Sequence, residues 1–243
     1  MYGLGGDGFN PQAAKKIYEA KGRPSDNPLI LHISKREELD AIAARIPETA
    51  EKLMDAFWPG PMTLIFEKTK AVPYETTGGL DTVAVRMPSH EGARQLIESA
   101  GVPVAAPSAN TSGRPSPTTA EHVKEDLWGR IDMIIDGGPV GIGVESTIID
   151  VTEETPTILR PGHITKNMIA TVQMDAGLSG VDPSVKPKAP GMKYRHYAPK
   201  ASMTVIQGKK EAVIRRIEEL AAEYPKEKVG ILATDETLSC YTH

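Results

Sequence analysis

Lys21-Gly22-Arg23-Pro24-Ser25-Asp26-Asn27-Pro28-Leu29-Ile30-Leu31 decides the fold, because it joins the end of a helix to the start of a strand. Upstream, Asn10 can cap a helix with Pro11 in its first position, Ala13, Ala14, Ile17 and Tyr18 recur at helical spacing, and Gly22 supplies a left-handed stop. Downstream, Leu29 to Ile33 reads as a buried strand. Residues before proline are pushed out of the helical region, so Pro24 and Pro28 hold Arg23 and Asn27 extended at the strand's mouth. A fixed Lys21/Arg23 pair there suits a polyphosphate or a carboxylate; a lysine at a helix C-terminus beside a solvated arginine is the plainer alternative.

Outward from this turn, the pattern alternates strands and helices. Ser34 with Glu37 reads as a capping box for a helix carrying Leu39, Ile42 and Ile46, and a second helix is expected over 47–57. Trp58-Pro59-Gly60-Pro61 breaks the chain before a strand at 62–66, with further strands at 82–87, 102–106, 131–135 and 148–151 and a short edge strand at 157–160. Helices are expected over 90–99 and, behind a Thr118/Glu121 box, after residue 118. Arg86 ends an otherwise buried run and needs an anionic partner, either a structural carboxylate or a ligand. Pro107 to Thr118 is rich in hydroxyls and free amides, a composition that can surround phosphates or ribose but also suits a plain turn. Arg23, Arg114 and Arg160 all precede proline, and Ser146 has no local cap to make.

The totals exclude several classes. The chain has 243 residues, 25% of them charged, and a net charge of −4, which opposes a general nucleic-acid or anionic-membrane binder. No stretch approaches the ~20 apolar residues of a membrane span, and a cytoplasmic location is expected. The single cysteine, Cys240, forms no internal disulfide, and the six histidines lack ligand spacing, so no protein-held metal is expected. Gly3 to Gly8 matches the G-x-G-x-x-G fingerprint without the strand that should feed it; a strand before Tyr2 is therefore expected, and the glycines can equally serve close packing. Periodicity stops from Gly177 to Lys200, where Lys193, Arg195 and His196 alternate with Tyr194 and Tyr197. Beyond it a strand (203–206), a helix (209–223) and a strand (229–233) make one β-α-β unit, too little to cover both faces of a sheet, so further C-terminal residues are also expected.

The sequence resembles the threonylcarbamoyl-AMP synthases. The resemblance rests on Tyr2-Gly-Leu-Gly, Lys21-Gly-Arg-Pro-Ser-Asp-Asn-Pro-Leu, Trp58-Pro-Gly-Pro-Met-Thr, Val85-Arg-Met-Pro, Ala106-Pro-Ser-Ala-Asn-Thr-Ser-Gly, Glu145-Ser-Thr, Leu159-Arg-Pro-Gly and Pro190-Gly-Met-Lys-Tyr-Arg-His-Tyr-Ala-Pro. It implies an α/β protein: a YrdC-like twisted open mixed sheet with helices over 1–180, a linker or lid over 181–201, and a partial Rossmann-like α/β domain over 202–243. It implies that L-threonine, bicarbonate and ATP with Mg2+ give threonylcarbamoyl-adenylate and pyrophosphate, for a tRNA-modifying threonylcarbamoyl transferase complex downstream. The resemblance puts Lys21 and Arg23 at the reacting phosphates, Asn27, Thr82, Ser108, Ser116, Arg160 and His196 around ATP, and His32, Arg86, the Ala106 backbone and Ser146 around threonine. The family also has a Pro-Thr-Glu-Thr segment before Tyr2, whose loss implies weakened turnover. Two alternatives are a carbamoyl-adenylate-handling relative and a non-catalytic RNA-binding module with weak tRNA contact.

Overall fold

A computed structural model of the chain describes residues 1–170, 177–178 and 201–241. It divides into two compact units, Met1–Ala198 and Pro199–His243. Among the described residues the first unit holds eight strands, β1 (Gly6–Asp7), β2 (Ile30–His32), β3 (Met62–Glu67), β4 (Thr82–Arg86), β5 (Val104–Ala105), β6 (Thr147–Asp150), β7 (Thr157–Arg160) and β8 (Gly177–Leu178). Its helices are α1 (Pro11–Lys21), α2 (Glu48–Phe57), α3 (Tyr74–Thr77), α4 (Glu91–Ala100), α5 (Ala120–Leu127) and α6 (Lys166–Ala170). The strands form one mixed sheet in the order β1-β5-β2-β4-β3-β6-β7-β8, with β2/β4, β3/β6 and β7/β8 parallel.

The two faces of this sheet differ. Alternate strand residues, among them Leu31, Leu64, Phe66, Val83, Val85 and Ile149, pack with Ala14, Ile17, Leu53, Met54, Val123, Leu127 and Ile169 of the helices into the main core. The opposite face carries a smaller apolar floor of Ile30, Ile65, Ala84 and Ile148, with Leu159 against it, and no helix residue belongs to that cluster among the described residues. Register explains the set: Ile30 pairs with Ala84 and Ala84 with Ile65. The same register puts His32 beside Arg86, on the face that the helices leave uncovered.

α1 forms as its sequence dictates, with the Asn10 side chain accepting from Gln12 N and Gly22 in the left-handed region at φ 59°. Several expectations need correction. The segment after β2 is a short 3-10 turn, Arg36–Ala41, capped from Lys35; its backbone N–H and that of Ser34 donate to Glu38 at 3.2 Å, so Glu38 and not Glu37 closes the box. Likewise Thr119, not Thr118, caps α5, accepting from His122 N at 3.4 Å. Residues 131–135 form no strand: Ile131 and Ile134, three apart, pack on the core while Met133 and Ile135 stay exposed, a helical rather than alternating spacing. β7 is not an edge, because β8 pairs beyond it.

The glycine-rich opening serves close packing. A Cβ on Gly8 would lie 2.4 Å from Leu31 Cδ2, and one on Gly5 2.8 Å from Val104 Cγ1. In the second unit α7 (Lys210–Ala221) matches the expected helix and α8 (Asp235–Leu238) follows it. The flanking runs 203–206 and 229–233 take no strand pairing, and Met203, Val205 and Leu232 are exposed there. A two-strand unit with one crossover helix buries too little to hold a ladder by itself.

Candidate active site

One wall of the site is the turn after α1. The Lys21 side chain is buried, and its Nζ donates to the carbonyls of Ser108 and Asn110. Burial, and next the neighbouring Arg23 charge, push its pKa down to about 7. Arg23 Nη2 donates to Asn27 O at 3.2 Å and Pro28 O at 3.3 Å, while its Nε and the Oδ1 of buried Asn27 have no hydrogen-bond partner among the described residues. Such orphaned groups are costly in a finished core and useful where a ligand completes them. Facing the turn, Ser108 Oγ donates to Asn110 Oδ1 at 2.5 Å, and Ser112 N donates to Lys21 O at 2.9 Å. Half-buried Ser116 lies on the same loop.

The other wall rises from the uncovered sheet face. Arg86 Nε donates to Gly60 O at 3.0 Å, and among the described residues no carboxylate forms an ion pair with it. Burial, and then Arg160, lower its pKa to about 10. His32 beside it has Nδ1 3.1 Å from Ile30 O, and burial with the Arg86 charge drives its pKa to about 4, so the ring is neutral near pH 7. Buried Ser146 shares a 2.8 Å hydrogen bond with Thr63 Oγ1 and accepts from Arg160 Nη2 at 3.0 Å. Arg160 also donates to Ser146 O and pairs with Glu145 at 2.6 Å.

A β-bulge aims Arg160. Ile148 pairs with Arg160 and Ile149 with Ile158, so Leu159 and Arg160 together oppose Ile148. Leu159 joins the apolar floor, and the guanidinium turns to Ser146. Ala106 N donates to Ile30 O at 2.9 Å, which holds the Ala106 backbone against β2. Gly162 backs the arrangement: a Cβ there would lie 2.5 Å from Glu145 O and Thr147 N.

The two walls lie within electrostatic reach of one another. The Arg160 charge acts on both Arg23 and Arg86, and Glu145 acts on both Lys21 and Arg23. Thr82 lies on the same face of β4 as Arg86 but at the strand's other end, toward Pro28. His196, with Tyr194, Arg195 and Tyr197, lies outside the described residues. Sequence reasoning counted the Asn110 amide only as part of its loop's composition and did not single out Thr63 or Asp126; each of these two sits within an ordinary strand or helix pattern, and only tertiary contact gives it meaning. Among the described residues no group of three or more His, Cys, Asp or Glu side chains could hold a metal, and no helix is long and apolar enough to cross a membrane.

A mixed α/β sheet with four cationic side chains, an apolar floor and a hydroxyl-rich loop has the chemistry to receive a polyanion beside a second, smaller anion. Two family models match the chain, one described as "Telomere recombination" (Sua5/YciO/YrdC) over residues 1–162 and one as "Threonylcarbamoyl-AMP synthase, C-terminal domain" over residues 164–242. The chain is 52% identical over 240 residues to the threonylcarbamoyl-AMP synthase of Pyrococcus abyssi, covering 96% of this chain and 70% of that protein. It is 51% identical over 249 residues to that of Bacillus subtilis, covering all of this chain and 70% of the relative. It is also similar to the crystal structure of P. abyssi Sua5 complexed with L-threonine, with TM-score 0.90 and 51% identity over 96% of this chain and 71% of that one. The chain belongs to the threonylcarbamoyl-AMP synthase family, ATP-using nucleotidyltransferases that form L-threonylcarbamoyladenylate.

Proposed function

We propose that the site divides the family's reaction between its two walls. L-Threonine lies over the apolar floor with its carboxylate on Arg86, near His32, Ser146 and the Ala106 backbone. ATP lies across Lys21 and Arg23 with Asn27, Thr82, Ser108, Ser116 and Arg160 around it, and His196 closes from the linker. The amine attacks bicarbonate, a C–N bond forms and water leaves, giving a carbamate. A carbamate oxygen then attacks the α-phosphate, the bond to the β-phosphate breaks, and pyrophosphate carries away the electron pair. The residues need supply no covalent intermediate: they position two anions and offset the charge that develops between them.

Magnesium enters with ATP, held by phosphate oxygens and water. We assign residues 1–180 to catalysis, 181–201 to a lid that keeps water from the labile carbamate, and 202–243 to a C-terminal domain. The product is a mixed anhydride, suited to a cytoplasmic transferase complex that moves the threonylcarbamoyl group onto tRNA.

The observation that supports this reading is the place of Arg160, which holds Ser146 and Glu145 and whose charge bears on both Arg23 and Arg86. Arg23→Ala tests it: pyrophosphate release should fall by ~10²-fold or more, since charge-assisted contacts to a transferring phosphoryl group carry such factors. The melting temperature should move less than it does for loss of Lys21, because Asn27 O keeps the Tyr18 hydroxyl as a donor and only Pro28 O loses a side-chain partner. Near-wild-type pyrophosphate release from Arg23→Ala would overturn the assignment.

A further inference from the structure

We propose that Asp126, on α5, is a positioning residue for the nucleotide wall: it clamps the Thr111–Arg114 turn and thereby fixes where Ser108 and Ser116 stand. The proposal rests on the nucleotide reading above and extends it to a residue that touches no substrate.

The geometry is specific. The Asp126 side chain is only 5% exposed, though it lies on a surface helix. Its Oδ2 accepts from the Thr111 backbone N–H at 2.9 Å and from Thr111 Oγ1 at 3.3 Å, while its Oδ1 pairs with Arg114 Nη1. From inside the turn, Asn110 Nδ2 donates to Thr111 O and Arg114 O, each at 2.8 Å. The turn is therefore held from both sides, by a carboxylate from the helix and by an amide from the loop.

The clamp continues into the phosphate corner. Asn110 Oδ1 receives the Ser108 hydroxyl, and Asn110 O and Ser108 O receive Lys21. The Asp126 charge also acts on Lys21, favouring its protonated form against the cost of burial. A carboxylate buried this far costs several kcal/mol unless it is paired and hydrogen-bonded, and here three donors on one four-residue turn repay it. A loop rich in Ser, Thr, Gly and Pro has many accessible conformations, and one clamp at its centre removes most of them.

The experiment measures KM for ATP, KM for threonine, kcat and melting temperature on the full chain for Asp126→Ala, Asp126→Asn, Arg114→Ala and Ser108→Ala. Asp126→Ala should raise KM for ATP about tenfold, the size of one lost charge-assisted contact, and leave KM for threonine within about twofold. Asp126→Asn keeps an oxygen for Thr111 N–H and should recover part of that loss. Arg114 is 56% exposed, so Arg114→Ala folds and decides the matter even if the Asp126 variants do not; it should raise KM for ATP several-fold, and adding Asp126→Asn should do little more. If Ser108→Ala raises KM for ATP while the Asp126 and Arg114 variants leave it at wild type, or raise both KM values alike, the clamp is wrong and the nucleotide reading stands. If Ser108→Ala itself leaves KM for ATP unchanged, this loop does not read the nucleotide, and the clamp falls with it.

Discussion

Replacing Arg86 by Met separates function from folding at a single position. The guanidinium is largely buried, donates one hydrogen bond to Gly60 O, and its pKa is lowered from 12.5 to about 10 by burial and by Arg160. At about 1.4 kcal/mol per pKa unit, keeping it charged in the empty protein costs ~3 kcal/mol at most, and ~1–2 kcal/mol after allowing for its partial exposure. Methionine keeps most of the buried stem and removes the charge, at the expense of ~1 kcal/mol for the unpaired Gly60 carbonyl. Stability should therefore stay within ~1 kcal/mol of wild type, a melting shift of no more than about 4 °C for a unit of this size. Binding of L-threonine should suffer far more. A bidentate carboxylate contact comprises two charged hydrogen bonds of ~1.5–3 kcal/mol each, so affinity should drop by about 10²–10⁴-fold. Calorimetric titration of threonine, with a non-hydrolysable ATP analogue and magnesium present, reads the first quantity and thermal unfolding the second. A variant that binds threonine within about threefold of wild type, or melts far below it, would show that Arg86 serves the fold rather than the substrate.

Three further outcomes are expected. Lys21→Met removes the donor to two buried carbonyls, at ~1–3 kcal/mol each, so it should lower the melting temperature further than Arg23→Ala does, together with activity; equal melting of the two variants would contradict the placement of Lys21. Gly162→Ala puts a methyl 2.5 Å from Glu145 O and Thr147 N, displaces Ser146, and should cost ~10²-fold in kcat/KM for threonine; an unchanged threonine titration would show that the segment yields freely. His32 titrates near 4 folded against 6.5 unfolded, so between these values the unfolded chain binds more protons and stability declines as pH falls, by up to ~3 kcal/mol in all. Urea unfolding across that window should show the decline in wild type and a flatter profile in His32→Gln; parallel profiles would place the titration elsewhere.

Much of this was legible in the sequence where local rules dominate. Asn10, Pro11 and Gly22 delimit α1 because capping and left-handed stops act within a few residues. Arg86 announced itself as a charge at the end of a buried run, and the structure supplies no carboxylate for it among the described residues. What escaped was long-range. The 131–135 run is apolar enough for a strand, yet strand formation depends on a neighbour with free ladder groups, and here only Ile131 and Ile134 pack against the core. The orientation of Arg160 depends on one extra residue in β7 relative to β6, a register fact that no single segment contains. Asp126 reads as one more polar position on an amphipathic helix until the loop twelve to fifteen residues before it folds back.

The way the opening residues are tied down bears on how the chain emerges from the ribosome. Tyr2 N donates to Pro117 O, Ala109 N donates to Tyr2 O, and the Tyr2 hydroxyl reaches Asp136 and Gly138, 134 and 136 residues further along. β3 likewise awaits β6 on its parallel side, and Ser146 awaits Arg160. A nascent chain must therefore expose residues as far as Gly138 before Tyr2 finds its partners. Local helices such as α1 form early, while β3 waits with one edge unpaired, a template for wrong partners. Synthesis rate and chaperone capture, more than final stability, should then govern the yield of this enzyme, and slowing translation between residues 67 and 147 should lengthen the period at risk.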